Sequence, residues 1–149
     1  MAKPAMCAAN PMRLIACDPK WLDVPTEQWW AAFSKPSKGI IDAELAKIVD
    51  ELQRVFPQPG DQSHRPMPVI LRSGRHIAPH RHPQHLIVYY PLGHPARMIV
   101  QSIDQPNVKV TPVANTAIYL PPNTLHSVER VTTKTPRLSL ALRWQTKAS

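Results

Sequence analysis

The sequence contains no apolar stretch of the roughly 18 residues that a membrane-spanning helix needs, so no membrane span is expected. Residues 1–17 hold no apolar core of a secretory leader. Only two cysteines occur, Cys7 and Cys17, outside any Cys-x-x-Cys spacing. They read as free thiols of a reducing compartment, which places the chain in the cytoplasm. Glycine is scarce, with 4 residues against 18 prolines. Proline fixes φ and removes a backbone donor, so this balance speaks against a long all-helical fold and for punctuated strands. Acidic residues are also few. Asp and Glu number 10 against 18 Lys and Arg, a formal net charge of +8. The bases at Lys35, Lys38, Lys47, Arg54, Arg65, Arg72, Arg75 and Arg81 are scattered and form no block. A solvated basic surface is therefore favoured over a dedicated nucleic-acid patch. The charge would favour association with an anionic small molecule, an acidic protein surface or, with weaker support, nucleic acid.

The 149 residues suffice for one domain with a real core, and 43% of them are hydrophobic. Residues 1–12 are small, polar and proline-containing and are expected to form a flexible arm, with a single domain over 13–149. Arg13–Cys17 is a candidate edge strand. Thr26 is placed to cap a short helix through Phe33. Ile41, Leu45, Ile48, Leu52 and Val55 recur at three- and four-residue steps, which predicts a longer helix from about Ile41 to Phe56. Asp42, Lys47, Asp50, Glu51 and Arg54 fall between them as its solvated side. The helical part thus covers 26–56. From Pro68 onward, short β-rich runs alternate with turns: Val69–Arg72, Arg75–Pro79, His85–Tyr90, Arg97–Ile103, Val108–Val113, Thr116–Leu120, Leu125–Val131 and Arg137–Trp144. That spacing predicts a sandwich or barrel over residues 68–145. Trp21, Trp29 and Trp30 suit either a core or an oligomer interface.

Within this β-rich half, His76, His80, His82 and His85 fall within ten residues, and His126 follows in Pro121-Pro122-Asn123-Thr124-Leu125-His126. Imidazole is the commonest protein ligand for iron, zinc and copper. Residues at i and i+2 on a strand share a face, so His80 and His82 can grip one ion, with His126 arriving from another strand. Pro83 disturbs the register at His85, and His94, in a Gly-His-Pro turn, is expected in solvent.

The last strand alternates strictly. Leu138, Leu140, Leu142 and Trp144 share one face, which suits packing on the helix stripe. Arg137, Ser139, Ala141 and Arg143 share the other. A guanidinium turned inward is costly unless it binds something, and a carboxylate fits its forked donors, with the serine hydroxyl adding a further bond.

His-x-His, a distant His and then Arg-x-Ser resembles the jelly-roll oxygenases dependent on Fe(II) and 2-oxoglutarate, over residues 68–145. The resemblance implies a mainly β fold with N-terminal helices: a double-stranded β-helix (jelly-roll, cupin-like) barrel buttressed by one long helix. It also implies Fe(II) on His80, His82 and His126, and 2-oxoglutarate held by Arg137 and Ser139, with Arg143 and Tyr90 (or its neighbour Tyr89) assisting. His82 stands where that family carries a carboxylate. Three histidines also resemble the cupin dioxygenases, whose Pro-x-Gly-x-x-His motif is matched by Pro121 to His126 with Asn123 in place of glycine. Asparagine tolerates positive φ, so the turn survives. The implied activity is an oxygenase of the hydroxylase type, with the substrate unspecified. The alternatives are a cupin-type enzyme with a three-histidine site and a non-enzymatic jelly-roll module for binding or assembly.

Overall fold

The computed structural model describes residues 12–34, 43–55, 60–62, 66–101, 104 and 106–146. Residues 1–11, all but the last residue of the expected arm and including Cys7, lie outside them, as do Ile41 and Phe56 at the expected ends of the long helix. Strand β1 (Arg13–Ala16) leads into a 3-10 turn at Pro19–Asp23, then α1 (Thr26–Ser34) and α2 (Ala43–Val55). The strands that follow are β2 (Gly60–Gln62), β3 (Met67–Leu71), β4 (Ile77–His80), β5 (His85–Tyr90), β6 (Met98–Val100), β7 (Val108–Val110), β8 (Thr116–Leu120), β9 (His126–Val128) and β10 (Arg137–Thr146). β2 was not anticipated from the sequence. Among the described residues no helix is long and apolar enough to cross a membrane.

The strands form two antiparallel sheets. The larger has the order β1-β8-β5-β10-β2, with β3 also on β10. β3 pairs along Arg137–Ala141 and β2 along Trp144–Thr146, so the two follow one another on the same strand. The smaller sheet has the order β4-β9-β6-β7. Among the described residues neither sheet closes on itself, so the expected double-stranded β-helix barrel is corrected to a mainly β fold of two open sheets with N-terminal helices. The physical reason lies at the strand ends. Pro83, Pro91, Pro95, Pro112, Pro121, Pro122 and Pro136 stand in the connections. None has an N–H to extend a ladder around a corner, so the strands stop short of bridging the sheets.

Strand parity divides the core in two. Ile87, Tyr89, Ala117, Tyr119, Leu138, Leu140, Leu142 and Trp144 of the larger sheet pack against the helical side. Leu86, Val88, Tyr90, Ile118 and Leu120 face the other way, onto Met98, Val100 and Val110 of the smaller sheet. β5 is buried from Leu86 to Tyr90 because both its faces are covered, the condition that turns an alternating strand into a continuous apolar run. The buttress is more than one helix. Trp21 of the 3-10 turn and Trp29, Ala32 and Phe33 of α1 join Leu45, Ile48, Val49 and Leu52 of α2. Trp21 and Trp29 are thus core residues, and Trp30 is half-buried against them.

Glu51 departs from its expected solvated place. It is buried, and its carboxylate accepts from Trp21 Nε1 and the Asp18 backbone N–H, each at 2.9 Å. Asn115, at φ 63°, completes the tie. Its side-chain amide donates to the Cys17 and Asp18 carbonyls, and its Oδ1 accepts from the Tyr89 hydroxyl. Burial, with the Glu51 charge adding to it, raises the Cys17 thiol to about 12, so this cysteine is an unreactive packing residue.

Leu140 is fully buried between β10's neighbours and the helices. Leu140→Ala is expected to lower unfolding stability by about 2–5 kcal/mol, read from urea denaturation. A loss below about 1 kcal/mol would show that the helix–sheet interface is not the main core.

Candidate metal centre

His80 ends β4 and His126 opens β9, and the two are direct register partners across the antiparallel pair, with ring centroids 4.3 Å apart. His82 lies just past the end of β4 rather than on it, so strand parity is not what aims it. The loop before β9 reaches it instead. Asn123 adopts φ 64°, and its N–H donates to the His82 carbonyl at 2.7 Å. Thr124 Oγ1 closes the same turn by donating to the Pro121 carbonyl at 2.7 Å. Asparagine therefore sustains the left-handed turn that glycine makes elsewhere. One ligand nitrogen from each of His80, His82 and His126 falls within 4.8 Å of the others.

The ring orientations suit metal binding. His80 Nδ1 lies 2.8 Å from the Ala78 carbonyl, and His126 Nδ1 lies 2.8 Å from the Thr124 carbonyl. A carbonyl only accepts, so both Nδ1 atoms carry the proton, and both Nε2 atoms keep the lone pair that a metal needs. His126 is held below the ordinary imidazole range, first by burial, with the charges of His80 and Arg143 acting in the same direction. The hydrogen bond to Thr124 opposes that shift. At neutral pH the ring is thus uncharged and able to ligate. Three imidazoles, two of them with their Nδ1 donors tied back, form a set that fits Fe(II), Zn(II) or Cu(II).

The other described histidines stand apart. His76 is exposed. His85 shares its parity with Ile87 and Tyr89, toward the helical side, and its Nδ1 is 2.7 Å from the Tyr119 hydroxyl. His94 was expected in solvent but is buried at 8% exposure. No local signal announces this, because its partners Thr133 and Thr135 lie about forty residues away.

Arg137, Ser139 and Arg143 lie on the face of β10 that looks toward the smaller sheet, opposite Leu138, Leu140 and Leu142. Arg137 and Ser139 are buried, at 1% and 5% exposure, and Arg143 is half-buried. Arg137 Nε donates to the Ala96 carbonyl at 3.1 Å, and its Nη2 donates to the Tyr90 hydroxyl at 3.2 Å. Its guanidinium also lies over the Tyr90 ring. Among the described residues no carboxylate pairs with it. Burial raises the Tyr90 phenol and Arg137 opposes the shift, so the hydroxyl keeps its proton. Tyr89 points to the opposite layer and bonds Asn115, which removes it from this space. Arg143 and Arg137 are six residues apart on the same face of the strand. Arg143 pairs with Leu86 and acts on His126, so it marks the histidine end, while Arg137 beside Tyr90 marks the other.

No protein-family model matches the sequence, and no curated protein matches it significantly. Solved structures do. A prolyl-4-hydroxylase from Pseudomonas putida superposes with a TM-score of 0.62 at 12% identity, covering 98% of this chain and 90% of that one. The non-heme alpha-ketoglutarate-dependent epimerase SnoN of nogalamycin biosynthesis gives 0.63 at 13% identity, covering 97% and 84%. The chain shares their fold. At these identities the likeness carries the architecture alone.

Single substitutions His80→Ala, His82→Ala and His126→Ala are each expected to weaken divalent metal binding by at least about tenfold, measured by competition with a chromogenic chelator. His76→Ala and His85→Ala are expected to leave it unchanged. Equal losses in all five variants would contradict a centre built on His80, His82 and His126.

Proposed function

We propose that the protein is an Fe(II)- and 2-oxoglutarate-dependent oxygenase of the hydroxylase type. The observation that carries this reading is the pairing of two features across one inter-sheet space. Three histidine ligands converge at one end, and a buried guanidinium without a carboxylate partner among the described residues stands at the other. The shared architecture with two enzymes, one described as a prolyl hydroxylase and one as dependent on alpha-ketoglutarate, supports it.

When bound, Fe(II) with 2-oxoglutarate and O2 supplies oxidative decarboxylation of the co-substrate and transfer of oxygen to a substrate C–H bond. This chain's share is to hold, orient and exclude water. His80, His82 and His126 would hold the metal, two of them through Nε2. Three neutral imidazoles leave the dication's charge uncompensated, where a carboxylate ligand would have offset part of it, and the Arg143 charge adds to the positive field. An anionic co-substrate supplies the missing negative charge. At the far end the remaining N–H groups of Arg137 take the distal carboxylate, and the Tyr90 hydroxyl, which accepts from Arg137, has its own proton left to donate. Ser139, one strand repeat on and on the same face, supplies a further hydroxyl. Ile118, Leu120, Met98 and Val100 line the same inter-sheet layer and keep it dry, which strengthens each of these contacts.

His82 favours one second reading, a three-histidine dioxygenase that binds its substrate without 2-oxoglutarate. The two separate cleanly. Anaerobic addition of Fe(II) and 2-oxoglutarate is expected to give a visible charge-transfer band. His126→Ala removes the band, and Arg137→Ala weakens co-substrate affinity about 10–100-fold, the loss of a charged hydrogen-bonded pair. A protein that binds Fe(II) tightly, shows no band and produces no succinate would belong to the second reading.

A further inference from the structure

We propose that His94 is a positioning residue for Arg137, acting through the backbone of Ala96. The inference rests on the reading of Arg137 as the co-substrate's carboxylate ligand. His94, Ala96 and Arg137 are all buried, at 8%, 6% and 1% exposure. The Ala96 N–H donates to His94 Nδ1 at 3.0 Å, and the Ala96 carbonyl accepts from Arg137 Nε at 3.1 Å. One residue's two polar groups therefore join the imidazole to the guanidinium.

The protonation of the ring follows from its partners. A backbone N–H only donates, so His94 Nδ1 must be the acceptor, and the ring proton sits on Nε2. Nε2 in turn lies 2.9 Å from the Thr135 carbonyl and 3.0 Å from Thr133 Oγ1. Thr133 Oγ1 itself donates to the Thr135 carbonyl at 2.7 Å. That segment runs through Pro136 directly into Arg137, so His94 bears on both the residue whose carbonyl receives the guanidinium and the chain that delivers it. The backbone holds the ring in place. His94 N–H donates to the Pro112 carbonyl at 3.2 Å, and Pro95 restricts φ between His94 and Ala96.

A guanidinium at the end of a long side chain has several rotamers, and carboxylate binding needs its fork aimed in one direction. The Tyr90 hydroxyl holds Nη2 and Ala96 holds Nε, which leaves the remaining donors pointed away from both. The Ala96 carbonyl lies in the next peptide, whose own N–H, on Arg97, donates to Glu129 Oε1 at 2.9 Å. Loss of the His94 acceptor leaves the buried Ala96 N–H unpaired and lets the backbone turn about the Ala96 Cα, which weakens the carbonyl's hold on Nε.

The test compares His94→Ala with His94→Asn, whose Oδ1 keeps an acceptor near the Nδ1 position. Where His94→Ala does not fold, His94→Leu replaces it, filling the space without an acceptor. The first readout needs no co-substrate: the Arg137 Nε–H resonance in a 1H–15N spectrum, assigned by its disappearance in Arg137→Ala. It is expected to be slow to exchange in the wild type and in His94→Asn, and lost in His94→Ala or His94→Leu. The second is affinity for 2-oxoglutarate in the Fe(II)-loaded protein, expected to fall about tenfold in the Ala or Leu variant and to recover in the Asn variant, with Fe(II) affinity unchanged in all of them. A retained Nε–H signal in His94→Ala overturns the inference. So does a wild-type-like co-substrate affinity in a variant whose Arg137 signal is lost. Failure of the wild type itself to bind 2-oxoglutarate overturns the reading of Arg137, and the functional part of this inference with it.

Discussion

The burial of β5, β8 and β10 on both faces governs the rest of the molecule. Once the larger sheet has helices on one side and the smaller sheet on the other, every residue of these strands is assigned a layer by its parity alone. Leu138, Leu140, Leu142 and Trp144 must go to the helices, and so Arg137, Ser139 and Arg143 must go between the sheets. A one-residue slip of β10 would drive an arginine into the helix interface and unmake both the core and the inter-sheet site. The site is thus a by-product of the same register that stabilises the fold.

At the other end of that space, order comes from tethers rather than packing. His80 and His126 meet because β4 and β9 pair in register there, and their rings are turned by carbonyls two residues earlier in the chain. His82 has no strand to aim it. It is caught by the N–H of Asn123, from the turn that also launches His126. The two loops therefore form one unit, and the geometry of the three imidazoles depends on a single left-handed residue. Arg137 is built on the same logic, with Ala96 and Tyr90 fixing a side chain whose own rotamers would not.

Strand positions were largely legible in the chain. His85–Tyr90 and Thr116–Leu120 stand where the apolar runs and turn residues place them. The left-handed turn at Asn123 was equally readable, because few residues other than glycine accept that backbone. Closure of the sheets was not. It depends on which edges find partners, and prolines in the connections remove the donors that would have joined them. Glu51 looked like a solvated helix residue, since helical periodicity says nothing of Trp21 and Asp18 arriving from thirty residues earlier. His94 looked exposed for a similar reason, with its Thr133 and Thr135 partners far along the chain.

By itself the sequence determined the mainly β character, the helix stripe, the parity of the last strand and the candidate set of histidines, because these follow from local periodicity and residue chemistry. Only the tertiary structure decided that the sheets stay open, that His82 joins His80 and His126 while His85 turns away, and that Arg137 is buried without a carboxylate beside it among the described residues. Those outcomes depend on contacts between segments tens of residues apart, and no local pattern encodes which distant donor meets which acceptor.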